Sequence, residues 1–75
     1  MNKQTRKDLS ELQSTLLDVL SQLEELRDNE QDKLDNMPLN LEGSELYESL
    51  SDSSSALDEA CSTLDDLISY LEELL

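Results

Sequence analysis

The last third of the chain, residues 50–75, reads LSDSSSA LDEACST LDDLISY LEELL and decides the fold. A leucine opens each group of seven, at Leu50, Leu57, Leu64 and Leu71, and acidic residues follow each leucine within two places. An apolar residue repeated every seven positions, with polar residues between, is typical of a long amphipathic helix that packs along another helix. The stretch therefore predicts a helix with one apolar side and one anionic edge.

The heptad is lettered so that these four leucines occupy position a. Positions a and d of this second helix then hold Leu46, Leu50, Ser53, Leu57, Ala60, Leu64, Leu67, Leu71 and Leu74. Position e forms a further stripe of Tyr47, Ser54, Cys61, Ile68 and Leu75. The acidic pairs fall at b and c, which face solvent in a coiled coil. We predict that rows a and d pack inside the chain and that row e is left for another contact.

The first half of the chain carries a matching repeat. Its apolar residues alternate in spacings of three and four: Leu9, Leu12, Leu16, Val19, Leu23 and Leu26. This helix is lettered separately, with Leu9, Leu16 and Leu23 at position a, so that Leu20 and Leu34 fall at position e. Pro38 disfavours helical geometry at the preceding residue and cannot donate within a helix, so the first helix must end before it. Ser44 is a favourable N-cap for the second helix. We predict one domain with a helix over about 4–35, a connection over 36–43 and a helix over about 44–75.

Two helices of equal length joined by a short connection predict an all-α fold, an antiparallel helical hairpin. Rows a, d and e together offer more apolar surface than one partner helix covers. We therefore expect a homodimeric four-helix bundle, with an oligomer interface formed by Tyr47, Cys61, Ile68, Leu75, Leu20 and Leu34. The alternative is that the stripe receives a helix of another protein. In the connection, Met37, Leu39 and Leu41 are expected to cover the open end of the core.

The charge restricts the class of partner. The chain has 19 acidic and five basic residues, a net charge of −14, and no basic residue follows Lys33. A nucleic acid or an anionic membrane would repel such a protein, so we expect a basic protein surface as the partner. No apolar run has the length of a signal-peptide core or of a membrane helix, about 18 residues. We expect a cytoplasmic protein.

The residue types argue against catalysis. The chain has no histidine, and its lone cysteine, Cys61, lies in an apolar row without a basic neighbour that would activate it. The carboxylates are spaced along predicted solvent-facing positions. The segment with Asp28, Glu30, Asp32 and Asp35 lacks the glycine and the terminal glutamate of a calcium loop. We expect a non-enzymatic protein without a cofactor or a specific metal site.

The anionic edge is the candidate binding site. A solvated helix usually mixes glutamate with lysine, whereas the second helix has no lysine at all. We assign partner binding to Asp58, Glu59, Asp65, Asp66, Glu72, Glu73 and Tyr70. In the sharper hypothesis, the carboxylates mimic the phosphates of DNA and occupy the cationic groove of a nucleic-acid-binding protein. In the alternative, the chain is a structural or assembly protein that acts through its leucine-rich stripe, and the acids serve only solubility.

Three segments carry a resemblance to known proteins. The runs Arg27–Gln31, Asp35–Pro38 and Gly43–Glu45, followed by the leucine and acid heptads, are similar to small acidic helical-hairpin proteins of Firmicute phages and mobile elements. The resemblance extends from about Leu23 to the end of the sequence. It implies a phage accessory protein that inhibits a host enzyme or defence protein in the host cytoplasm. It implies no active site.

Overall fold

The chain folds into two long helices that pack side by side. The computed structural model describes all residues except 39, 41 and 42, and it contains α1 (Lys3–Asp35) and α2 (Glu45–Leu74). Gln13 near the start of α1 bonds to the backbone of Ile68 near the end of α2, and Gln31 near the end of α1 bonds to Ser54. The helices are therefore antiparallel, which confirms the predicted hairpin. The Cα atoms extend over 59 × 14 × 13 Å.

Side-chain caps define where each helix begins. The Asn2 Oδ1 atom accepts a hydrogen bond from the Thr5 amide at 2.8 Å, and the Ser44 Oγ atom accepts one from the Tyr47 amide at 3.2 Å. Each bond satisfies a backbone donor that has no partner within the helix. The first turn of α2 also carries Glu45 and Glu48, whose charges suit the positive end of the helix dipole.

The buried seam uses rows a and e. Among the described residues, the buried apolar ones are Leu20, Cys61 and Ile68, all at position e, and Leu16, Leu23 and Leu64 at position a pack against them. Row d is exposed on both helices, so the predicted seam is correct for row a and wrong for row d, whose place row e takes. The apolar stripe spans d, a and e, and its periodicity does not indicate which flank of row a faces the other helix. Small residues in row e of α2, Ser54 and Cys61, leave room for close approach of the helices.

The stripe that was expected to join two copies is therefore largely the core of one copy. Of the residues predicted for the oligomer interface, Leu20, Cys61 and Ile68 are buried between the helices, Tyr47 and Leu34 are partly buried, and Leu75 is exposed. The three buried side chains cannot contact a second chain while the hairpin stays closed. A dimer itself stays a prediction, and it would have to use other residues.

The half of the hairpin next to the connection has a more polar seam. Ser54 is buried, and its hydroxyl donates to the Gln31 Oε1 atom at 2.9 Å. A buried polar group with a partner avoids the cost of an unmade hydrogen bond. This contact shows how the serine-rich run of residues 51–55 is accommodated, because α2 passes through it without interruption.

The predicted cover over the open end is only partly described. Met37 is partly buried and its amide donates to the Leu34 carbonyl at 3.2 Å. Leu39 and Leu41, the other two residues of that prediction, lie outside the described residues.

Candidate protein-binding surface

One long side of the hairpin is apolar and exposed. In an antiparallel pair whose rows a and e face each other, the d rows of both helices lie beside row a on the same side. Leu12 is 58% exposed, Leu26 53% and Leu67 46%, although all three are large apolar residues. Two members of the d row of α2, Ala60 and Leu67, line an open groove together with Leu23 of α1 and with Leu64. We call this side the groove face; its exposed apolar residues are Leu12, Val19, Leu26, Leu46, Leu67 and Leu74.

By helical position, a row of carboxylates follows the outer edge of the groove face on each helix. Row c is acidic at every position from Glu11 onward, and its members are Glu11, Asp18, Glu25 and Asp32 on α1 and Glu45, Asp52, Glu59, Asp66 and Glu73 on α2. Each of these side chains is exposed, and Glu59 contributes directly to the groove wall with Ala56 and Thr63. Among the described residues, no row-c carboxylate lies within 4.0 Å of a basic side chain.

The opposite side of the hairpin is polar and carries mixed charge. Arg27, which is partly buried, points between the helices and lies 3.2 Å from Asp28 and 3.6 Å from Asp58. The hydrogen bond to Asp28 and the nearby negative charges raise the pKa of Arg27, although partial desolvation opposes them. We call this side the Arg27 face; Gln31, Ser54 and Ser55 line it beside these charged groups.

The basic residues of α1 concentrate on this second side. By helical position, Lys3, Arg6 and Lys7 fall in rows b, e and f, which point toward the Arg27 face. The fifth basic residue, Lys33, falls in row d, on the groove face, and bonds Glu30 of its own helix at 2.9 Å. The acids of the Arg27 face therefore share a surface with four of the five basic groups, and the row-c acids do not.

The structure divides the anionic edge that the sequence predicts. Glu59, Asp66 and Glu73 belong to row c and border the groove face, whereas Asp58, Asp65 and Glu72 belong to row b and lie toward the Arg27 face. Tyr70 is exposed at position g, beyond row d. The acidic row on α1 was missed, although the seven-residue spacing from Glu11 to Asp32 is visible in the sequence.

The described residues offer no arrangement typical of a metal centre or of an activated thiol. No three acidic or cysteine side chains among them converge on a point where they could hold a metal ion. Cys61, a free thiol, is buried between the helices, so a reactant in solution does not reach it. In the part of the chain that the structure describes, neither helix has an apolar segment long enough to cross a lipid bilayer.

Comparisons with known protein families, with curated proteins and with solved structures find no match to this chain. The resemblance to phage-encoded hairpin proteins therefore stays a prediction from the sequence. The surface geometry has to carry the functional argument.

Proposed function

We propose that the chain is a non-enzymatic protein-binding module that presents its groove face to a basic partner protein. The observation that carries the proposal is the row of exposed leucines along that side. A contiguous apolar surface with a polar rim marks a protein interaction site more often than a solvated surface. The hairpin buries only one narrow seam, so covering row d with a partner would also stabilise the fold.

The row-c carboxylates define which partner is favoured. By helical position they flank the apolar residues on both helices, and no basic side chain in the described part of the chain lies within ion-pair distance of them. Complementary charge speeds association and disfavours wrong partners, because bringing like charges together costs free energy. A basic surface gains from these carboxylates, whereas an acidic one is repelled.

Mimicry of DNA is the narrower hypothesis. The charge density of the chain supports it less well than it supports binding to a basic protein surface in general. A net charge of −14 spread over 59 Å corresponds to one negative charge per about 4 Å, whereas B-DNA carries one per about 1.7 Å. A phosphate backbone also has no counterpart to the exposed leucines. If the chain inhibits a host defence or nucleic-acid-binding protein, we propose that it binds that protein through the leucines of the groove face as well as through its carboxylates.

A matched pair of variants tests the proposal. Leu67 lines the groove, and Leu17 is exposed to a similar extent, 50%, in row b on the other side. The tagged chain is incubated with a lysate of a Firmicute bacterium, the host group that the resemblance implies, and retained proteins are quantified by mass spectrometry. We expect Leu67→Gln to lose a retained protein several-fold and Leu17→Gln to keep it. Equal retention by both variants would contradict a role for the groove face.

The same lysate experiment, repeated at low and high salt, tests the alternative that the chain is a structural or assembly protein. If the leucines alone carry function and the acids only maintain solubility, then retention on the wild-type chain should persist at high salt. If the carboxylates contribute, retention should fall as salt screens them. Circular dichroism of each variant checks that helicity is unchanged, which is expected because both substituted side chains are exposed.

A further inference from the structure

Building on the proposed function, we infer that the occupant of the groove is a single basic amphipathic helix of the partner, which completes a three-helix bundle. The inference names the partner's structure and chemistry. It rests on three features of the groove face: its shape, the two acidic rows that border it, and the small residues between.

The shape of the groove fits a helix. Leu23 of α1 and Leu64 of α2, both in row a, line it together with Leu67 of row d, so it lies over the junction of two antiparallel helices. A third helix packs in such a valley with its own apolar stripe against rows a and d. It also satisfies its own backbone hydrogen bonds, so the apolar surface need not supply donors or acceptors.

The charge distribution fits a helix that is basic on both flanks. By helical position, one acidic row follows the outer edge of each helix, and Glu59 of the α2 row reaches the groove wall. Lysine and arginine have long apolar stems that can lie across a surface while their charged ends reach further. A partner helix with basic residues on either side of its apolar stripe therefore matches both edges at once.

The residues between the leucines and the carboxylates do not obstruct a basic side chain of the partner. Row g separates row d from row c; on α2 its members Ala56 and Thr63 line the groove, and on α1 it holds Gln22 beside Leu23. These side chains are neutral, and those of α2 are short. A basic side chain that crosses them meets neither a positive charge nor a bulky obstruction, and Glu59 is already part of the groove wall.

The same features disfavour a second copy of the chain in the groove. A second hairpin would bring its own acidic rows to the edges and double the net charge of −14. Like charges placed opposite one another in an interface oppose association, most strongly at low salt. A homodimer through this face is therefore an outcome that would overturn the inference.

Three synthetic peptides of about four heptads, ~42 Å long as helices, probe the groove directly. The first has leucine at a and d and lysine at e and g. The second replaces lysine with glutamate, and the third keeps the composition of the first with the leucines scattered. Binding to the full chain is measured by fluorescence anisotropy at low and high salt. We expect the lysine peptide to bind and both others to bind at least about tenfold more weakly.

Two triple variants, each of which removes three negative charges, identify the row of carboxylates that the lysine peptide contacts. The c-row variant carries Glu59→Gln, Asp66→Asn and Glu73→Gln. The b-row variant carries Asp58→Asn, Asp65→Asn and Glu72→Gln. If three exposed ion pairs form at the groove, the c-row variant should weaken binding of the lysine peptide about tenfold at low salt, and the b-row variant less than about threefold. Equal weakening would show attraction to overall charge only and would overturn the inference.

The remaining outcomes separate this inference from the proposed function. If the lysine peptide fails to bind while Leu67→Gln still abolishes retention of a lysate protein, the groove binds something other than a basic helix. The inference is then wrong and the proposed function stands. If sedimentation shows a wild-type dimer that Leu67→Gln dissociates, and the peptide does not bind, the occupant is a second copy. If Leu67→Gln changes neither lysate retention nor peptide binding, both fail.

Discussion

The two long sides of the hairpin carry similar numbers of acids in very different surroundings. On the Arg27 face, Asp58 lies 3.6 Å from a guanidinium, and serines occupy much of the remaining surface. On the groove face, the row-c acids border exposed leucines, and no basic side chain among the described residues lies within 4.0 Å of them. On the first side, Arg27 compensates the charge of its neighbours Glu24, Asp28 and Asp58. The second side combines exposed leucines, which lower the solubility of an isolated chain, with unpaired carboxylates, whose mutual repulsion lowers its stability.

The comparison indicates that neighbours, rather than the acids themselves, distinguish the proposed binding surface from the other side of the hairpin. Adjacent residues such as Asp58 and Glu59 look equivalent in the sequence and point to different sides of the hairpin. Apolar neighbours lower the local dielectric once a partner covers them, and unpaired charges then interact more strongly with a complementary group. This is why we place the partner on the side of Glu59.

The largest expected effect comes from moving a charge by one residue, from the groove face into the seam. Ile68 is 5% exposed, whereas its neighbour Leu67 lies on the groove face. Ile68→Asp buries a carboxylate without a partner and should cost about 3 kcal/mol or more, enough to abolish cooperative unfolding in a hairpin with so small a core. Leu67→Asp should keep its helicity and lose only binding. Urea titration followed by circular dichroism distinguishes the two, and similar unfolding curves would contradict the seam described above.

The sequence predicted the hairpin because heptads, caps and a proline act locally. Pro38 must end α1, and the Ser44 side chain must cap α2, whatever the helices pack against. The choice between rows d and e depends instead on contacts between residues far apart in the chain, such as Gln31 with Ser54. Periodicity shows where the stripe is and cannot show which of its edges the partner helix covers. For the same reason, it could not separate Glu59 from Asp58.

A medium effect is expected where the Arg27 face meets the seam. Gln31→Ala removes the acceptor of the buried Ser54 hydroxyl, which should cost about 1 kcal/mol. Ser54→Ala leaves the exposed Gln31 side chain free to bond water, so its cost should be smaller. The free energy of unfolding from urea titration checks the order of the two variants. A larger loss for Ser54→Ala would mean that the serine contributes through packing, and the double variant would then be no less stable than Ser54→Ala alone.

The smallest expected effect compares the charges of the two sides through the stability of the isolated chain. Neutralising the row-c acids removes repulsion between unpaired carboxylates, so the c-row variant should gain up to about 1 kcal/mol at low salt. The b-row variant should gain less, because it also loses the contact between Asp58 and Arg27. Salt screens both the repulsion among the carboxylates and the attraction between Asp58 and Arg27. The difference in stability between the two variants should therefore shrink as the salt concentration rises. Thermal unfolding at low and high salt measures this difference between the two variants. A b-row variant that gains as much as the c-row variant would show that Arg27 does not compensate its face, and the two sides would then differ only in their leucines.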